Sequence, residues 1–178
     1  MIEALPGREC GSCTVCCTFK PIDTPELVKP PGRTCEHCTV GGCAIYAERP
    51  GVCQGYLCAW KMVAWLPEEM RPDRSGVLID VDSSGEVTLL AFRDGADFTR
   101  DPVPFVLASL IERGIPVQLS RPGPAGMLNA QARVNEGLKG PLAARHRDWY
   151  LNEIRAVLRT LENHAWEPFQ PKNAGRDA

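Results

Sequence analysis

The stretch CGSCTVCC, residues 10–17, puts four cysteines into eight positions, two of them adjacent. Thiols crowd in this way for disulfides, for redox exchange or for metal. The rest of the chain narrows the choice. All nine cysteines fall early: Cys10, Cys13, Cys16, Cys17, Cys35, Cys38, Cys43, Cys53 and Cys58. An odd count argues against a complete disulfide framework. The opening MIEALPGRE lacks the apolar core of a secretory signal, and no apolar run approaches the roughly 20 residues of a membrane span. The chain is therefore expected in the cytoplasm, where thiols stay reduced. A net charge of -2 and an apolar share of 44% fit an ordinary globular protein. They give no pull toward nucleic acid or an anionic membrane, so neither is expected as a partner.

Redox exchange would single out CGSC as a reactive pair. That motif belongs after a strand, at the start of a helix. Nothing ahead of Cys10 can form such a strand. Metal remains, as a direct cofactor on the thiolates. Cys10, Cys13 and Cys16 have the C-x2-C-x2-C spacing of a ferredoxin-type run, which favours an iron–sulfur cluster. The fourth cysteine departs from that pattern, because Cys17 follows at once and no proline comes after it. Zinc takes paired C-x2-C knuckles, and CGSC with CEHC (Cys35–Cys38) supplies two. Charge does not separate the two cases. Both readings stay open on spacing alone.

The cysteines also divide the chain. Residues 1–66 are a cysteine-rich segment broken by Pro21, Pro25, Pro30, Pro31 and Pro50 and by Gly32, Gly41, Gly42, Gly51 and Gly55, with no amphipathic period. Turns and extended loops are expected there, held by metal rather than by burial. Residues 67–178 read as an α+β body, packed with the first part into one unit. GVLIDVD (76–82) and EVTLLAF (86–92) predict a β-hairpin around SSG. DPVPFVLASLIERG (101–114) predicts a helix capped by Asp101 and stopped by Gly114. IPVQLS (115–120) predicts a third strand. A long helix is expected over 143–164, where Tyr150, Leu151, Ile154, Val157, Leu158 and Leu161 recur at helical spacing. YLCAWKMVAWL (56–66) predicts a helix joining the two parts, and the tail after Trp166 is expected to fray.

CGSCTVCC, Cys35 and CAIYAERPGVCQGYLC (43–58) together resemble the YkgJ-type cysteine-cluster proteins, a family described as zinc- or iron-chelating. The resemblance covers the first third of the chain. It implies metal ligands at Cys10, Cys13, Cys16, Cys17, Cys35, Cys43, Cys53 and Cys58, and it matches Tyr46, Arg49 and Pro50. Two positions depart from it. Cys38 stands where the family usually has an apolar residue, and Gln54 where an arginine commonly follows the cysteine. Cys38 is thus a spare thiol or a substitute ligand. The function implied is metal or iron–sulfur binding, as a redox or metal-relay module. A structural zinc protein that acts through an interaction surface is the alternative. So is a catalytic or accessory part of a modification enzyme, since a flagellin lysine methylase carries a similar pattern. His37 reads as a solvated loop residue and Tyr46 as packing over the cysteine loops. Arg145–Arg147, Arg155 and Arg159 read as a solvated helix face, because acidic residues interrupt them. No phosphate loop, zinc-protease motif or catalytic triad is present.

Overall fold

The computed structural model describes residues 3–135, 137–138 and 146–172. Prolines and glycines cut the first part into short pieces. These are α1 (Val15–Phe19), the β1–β2 hairpin (Ile22–Thr24, Leu27–Lys29), the β3–β4 hairpin (Cys38–Thr39, Gly42–Cys43) and α2 (Gly51–Gln54). Two single turns follow, α3 (Ala59–Met62) and α4 (Pro72–Ser75).

The body then assembles on two strands of nearly continuous apolar sequence, the pattern of strands covered on both faces. β5 (Val77–Val81) pairs antiparallel with β6 (Val87–Ala91), from Val77↔Ala91 to Val81↔Val87. Asp82 shapes the turn: its Oδ1 accepts from the N–H groups of Ser84 (2.8 Å) and Glu86 (3.0 Å). α5 (Val103–Glu112) crosses over, so that β7 (Val117–Arg121) lies parallel to β6. β8 (Ala130–Arg133) closes the sheet antiparallel to β7, in the order β5-β6-β7-β8. α6 (Arg147–Glu162) lies against β7 and β8. One face of the sheet carries Val77, Ile79, Leu89, Val117 and Leu119 into a core with Val103 and Leu107 of α5 and Tyr150 and Ile154 of α6. Ala59, Trp60 and Leu66 join the same core. The α+β class expected from the sequence is the class the chain adopts.

Leu78 and Leu90 point the other way and face each other across β5 and β6. They form a second, smaller cluster with Val15, flanked by Cys13, Phe19, Cys58 and Phe92. Val15 and Phe19 stand four residues apart on α1, so one turn presents both to the sheet. The Phe19 and Phe92 rings stack with centroids 5.0 Å apart.

Several sequence expectations need correction. The helix over 56–66 shrinks to the turn α3, where the Arg8 guanidinium takes the Trp60 carbonyl that a continuing helix would bond to the Ala64 N–H. Nη1 donates to Val63 (2.9 Å) and to Trp60, and Nη2 donates to Leu66 (2.6 Å). Asp101 does not cap α5: its carboxylate accepts from Arg147 Nη2 at 2.6 Å, tying the start of α5 to α6. β8 carried no strand signal, since Ala-Gln-Ala-Arg has little β preference of its own. The chain after Trp166 does not fray up to Lys172. Leu128 N–H donates to the Glu167 carbonyl at 2.7 Å, and Phe169 N–H to Gly126 at 2.9 Å. The expected helix start at 143–145, including Arg145, lies outside the described residues.

Gly76 ends α4 at φ 77°, and a Cβ there would collide with Asp97 Oδ2 and the Arg93 guanidinium. Asp97 is fully buried and accepts from Arg100 Nη1 at 2.7 Å, so it cannot move aside freely. Gly85 also has positive φ, 84°, but its Cβ would meet open space. Gly76→Ala is expected to cost at least about 2 kcal/mol and Gly85→Ala about 1 kcal/mol in urea unfolding. Equal losses would contradict the packing argument at Gly76.

Candidate metal centre

Five loop segments carry the cysteines to one place. Cys13 N–H donates to the Cys10 carbonyl at 2.9 Å, closing the CGSC turn. α1 presents Val15 to the sheet, which leaves Cys16 and Cys17 beside it. Cys35 N–H donates to the Cys17 carbonyl at 2.9 Å, seating its loop on α1. Cys43 ends β4, Cys53 lies in α2, and Cys58 immediately precedes α3. Gly42 lets the β3–β4 hairpin settle on the CGSC loop. It has φ 128°, and a Cβ there would stand 2.9 Å from the Gly11 carbonyl oxygen.

Cys10, Cys13, Cys16, Cys17, Cys35, Cys43, Cys53 and Cys58 all line a single cavity of about 150 Å³, with Leu78 of β5 also in its wall. Cys38 is not in that wall. All nine cysteines are free thiols, each half-buried. Among the described residues no group of three His, Cys, Asp or Glu side chains is arranged to hold a metal ion. The thiols ring a space instead of closing on one point.

Among the described residues the wall also carries Lys20, Lys29, Arg49 and Lys61, and no carboxylate. Sequence reasoning missed three of these four. Lys29 is only 4% exposed, yet its ammonium donates to the carbonyls of Thr18 (3.2 Å), Lys20 (2.5 Å) and Arg33 (3.3 Å). Burial lowers the Lys29 pKa, and the neighbouring Cys35, Cys17 and Cys16 oppose that shift. Lys61 is almost as buried and points its Nζ at Cys10 Sγ, 3.8 Å away. Lys20 pairs with Asp80 and lies 4.5 Å from the centre of the Tyr56 ring. Burial, and after it Asp80, pushes the Tyr56 hydroxyl well up. Arg49 stacks on Tyr46 at 3.8 Å. Tyr46 is half-exposed and lines the same cavity. His37 sits at the cavity edge, its imidazole 3.7 Å from the Glu36 carboxylate.

The thiols respond to crowding. Burial pushes Cys13, Cys53 and Cys58 up. Cys17 is pushed up furthest, first by its hydrogen bond with Cys16 and then by burial. Left as thiols these groups resist ionisation, and a metal would have to displace their protons. The donor set suits such a centre: eight soft sulfurs, cations close by, and no hard oxygen anion in the wall.

No family model, no curated protein and no solved structure matches the chain.

Lys29 offers a direct test of the wall. Lys29→Met keeps the stem but leaves three buried carbonyls without their donor. It is expected to cost about 2 kcal/mol in urea unfolding. Lys20→Met breaks a half-exposed pair and is expected to cost under about 1 kcal/mol. A Lys29 variant as stable as the wild type would show that the carbonyl cage carries no energy.

Proposed function

We propose that this chain binds a metal centre on Cys10, Cys13, Cys16, Cys17, Cys35, Cys43, Cys53 and Cys58, as its resemblance to the YkgJ-type proteins implies. Iron–sulfur is favoured over zinc. One observation carries the reading: eight sulfurs from five separate segments share one cavity wall, and the cysteine outside the family pattern is the one left out of it. A lone tetrahedral zinc draws four sulfurs to about 2.3 Å from a single point. Sulfurs spread round a cavity suit a centre of several metal atoms better. Iron–sulfur centres supply one-electron chemistry, and their potential follows net charge, hydrogen bonding and exposure.

The protein's own groups have clear parts in this reading. The cysteines hold the centre. Lys29 and Lys61 offset thiolate charge from buried positions, and Arg49 does so beside Cys53. Leu78 and Val15 keep water from one side. The opposite side is reached from solvent, because every cysteine is only partly buried, and that suits electron exchange with a partner. Among the described residues no helix is long and apolar enough to cross a membrane.

Each of the eight cysteines should matter more than Cys38. Cys→Ser replaces a soft thiolate by a poor ligand, so each such variant is expected to retain less metal after anaerobic purification. Cys38→Ser is expected to retain the wild-type amount. Equal loss at Cys38 and Cys10 would overturn the ligand set. Metal removal should also loosen the first part of the chain selectively. Trypsin is expected to cut before residue 59 several times faster in stripped protein, while the β5–β8 body stays protected. Unchanged proteolysis would mean that burial alone holds the loops.

A further inference from the structure

Cys38 has no part in the cavity wall, yet its place in the fold is specific. It pairs directly with Cys43 across the β3–β4 hairpin, with Thr39↔Gly42 as the next pair. On the other side, Ala44 N–H donates to the His37 carbonyl at 2.8 Å. Hydrogen-bonded and non-hydrogen-bonded pairs alternate along an antiparallel ladder. Cys38 and Cys43 therefore occupy the non-hydrogen-bonded position. There the Cα atoms approach to about 4.5 Å and both side chains leave from one face. A disulfide needs Cα atoms about 4.4–6.8 Å apart. The hairpin register thus puts the two Cα atoms within the span of a disulfide, so closure asks for side-chain rotation rather than backbone movement. Its tip is open to solvent, for Val40 is fully exposed.

We propose that Cys38 and Cys43 are a redox pair that closes into a disulfide under peroxide and draws Cys43 out of the metal-binding set. The Cys38 thiol, which hydrogen-bonds Cys17, gives up its proton, and the thiolate attacks one peroxide oxygen. The O–O bond breaks, water leaves, and a sulfenic acid remains on Cys38. The Cys43 thiolate then attacks that sulfur, the S–O bond breaks, and a second water leaves. Two thiols lose two electrons and two protons, and the peroxide is reduced to two waters. Closure occupies a sulfur of the cavity wall, so the centre loses one of its donors. A thiol reductant reverses the step. The family resemblance places an apolar residue where Cys38 stands, so this device belongs to this chain's own sequence.

The withdrawal of Cys43 rests on the proposed ligand set, whereas disulfide closure does not. The test separates them. The full-length protein, as purified anaerobically and after metal stripping, is treated with hydrogen peroxide, alkylated with a maleimide and cut after glutamate. Cleavage after Glu36 and Glu48 yields a peptide, His37–Glu48, whose only cysteines are Cys38 and Cys43. In both samples this peptide is expected without maleimide and lighter by two hydrogens. Two maleimides on it, or a link from Cys38 to the nearby Cys17, would overturn the pairing. In the as-purified sample metal loss should follow closure, and Cys38→Ser should slow that loss several-fold. In that variant Cys43 should gain oxygen atoms instead of a disulfide. Closure with all metal retained would overturn the withdrawal of Cys43. Closure in a chain that carries no metal as purified would uphold the pairing and count against the metal reading.

Discussion

Val15 against Leu78 and Leu90 is a small contact, but it seats the turn that carries Cys16 and Cys17 and, through the Cys17 carbonyl, the Cys35 loop. The β5–β6 hairpin buries one face in the main core, as any half-covered sheet does. Its other face would lie open without α1. One helical turn closes it, with Val15 and Phe19 inward. The same turn leaves Cys16 and Cys17 at the cavity. Cys35 hangs from the Cys17 carbonyl, and the β3–β4 hairpin rests on Gly11. Three apolar side chains thus seat the turn from which Cys16, Cys17 and Cys35 are placed. They are too few to fix the loops alone, since folding must also offset the entropy of ordering long irregular segments. That shortfall is the physical case for a bound centre.

Eight sulfurs round one cavity also set a charge problem. As thiols they are neutral and ionise reluctantly where burial or a neighbouring thiol raises their pKa. As ligands they are anions. The cations in the wall meet the second state rather than the first. Lys29 is the clearest case: an ammonium this buried is costly without partners, and three carbonyls supply only partial dipoles. Thiolates close by complete its environment. Under the proposed reading, the wall cations would meet the charge that the thiols acquire on binding metal.

Much of this was legible in the residues. The hairpin over 77–91 followed from nearly unbroken apolar runs around Asp82-Ser83-Ser84-Gly85, and α6 from Tyr150, Ile154 and Leu158 at helical spacing. The eight cysteines that share the cavity wall are those the family resemblance picks out. What escaped notice depends on distant partners. Arg8 shortens α3 by bonding carbonyls more than 50 positions away, and no local signal announces that. Lys29 looks like a solvated lysine in Leu-Val-Lys-Pro-Pro until three loop carbonyls turn toward it. Asp101 has the sequence of a cap but serves Arg147 of a later helix. Cys38 looked like a spare thiol or a substitute ligand, because the register of a two-residue ladder is invisible in CEHC alone.

The most direct measurement is of iron, zinc and acid-labile sulfide per chain in protein expressed with ample iron and purified without air. The account predicts iron and sulfide in matching amounts, a brown chromophore that a reductant bleaches, and loss of both in Cys16→Ser. Colourless protein with stoichiometric zinc would contradict the iron–sulfur assignment. Protein that is fully folded through residue 58 with no metal of any kind would contradict the central claim, that a centre on the eight cysteines holds this part of the chain.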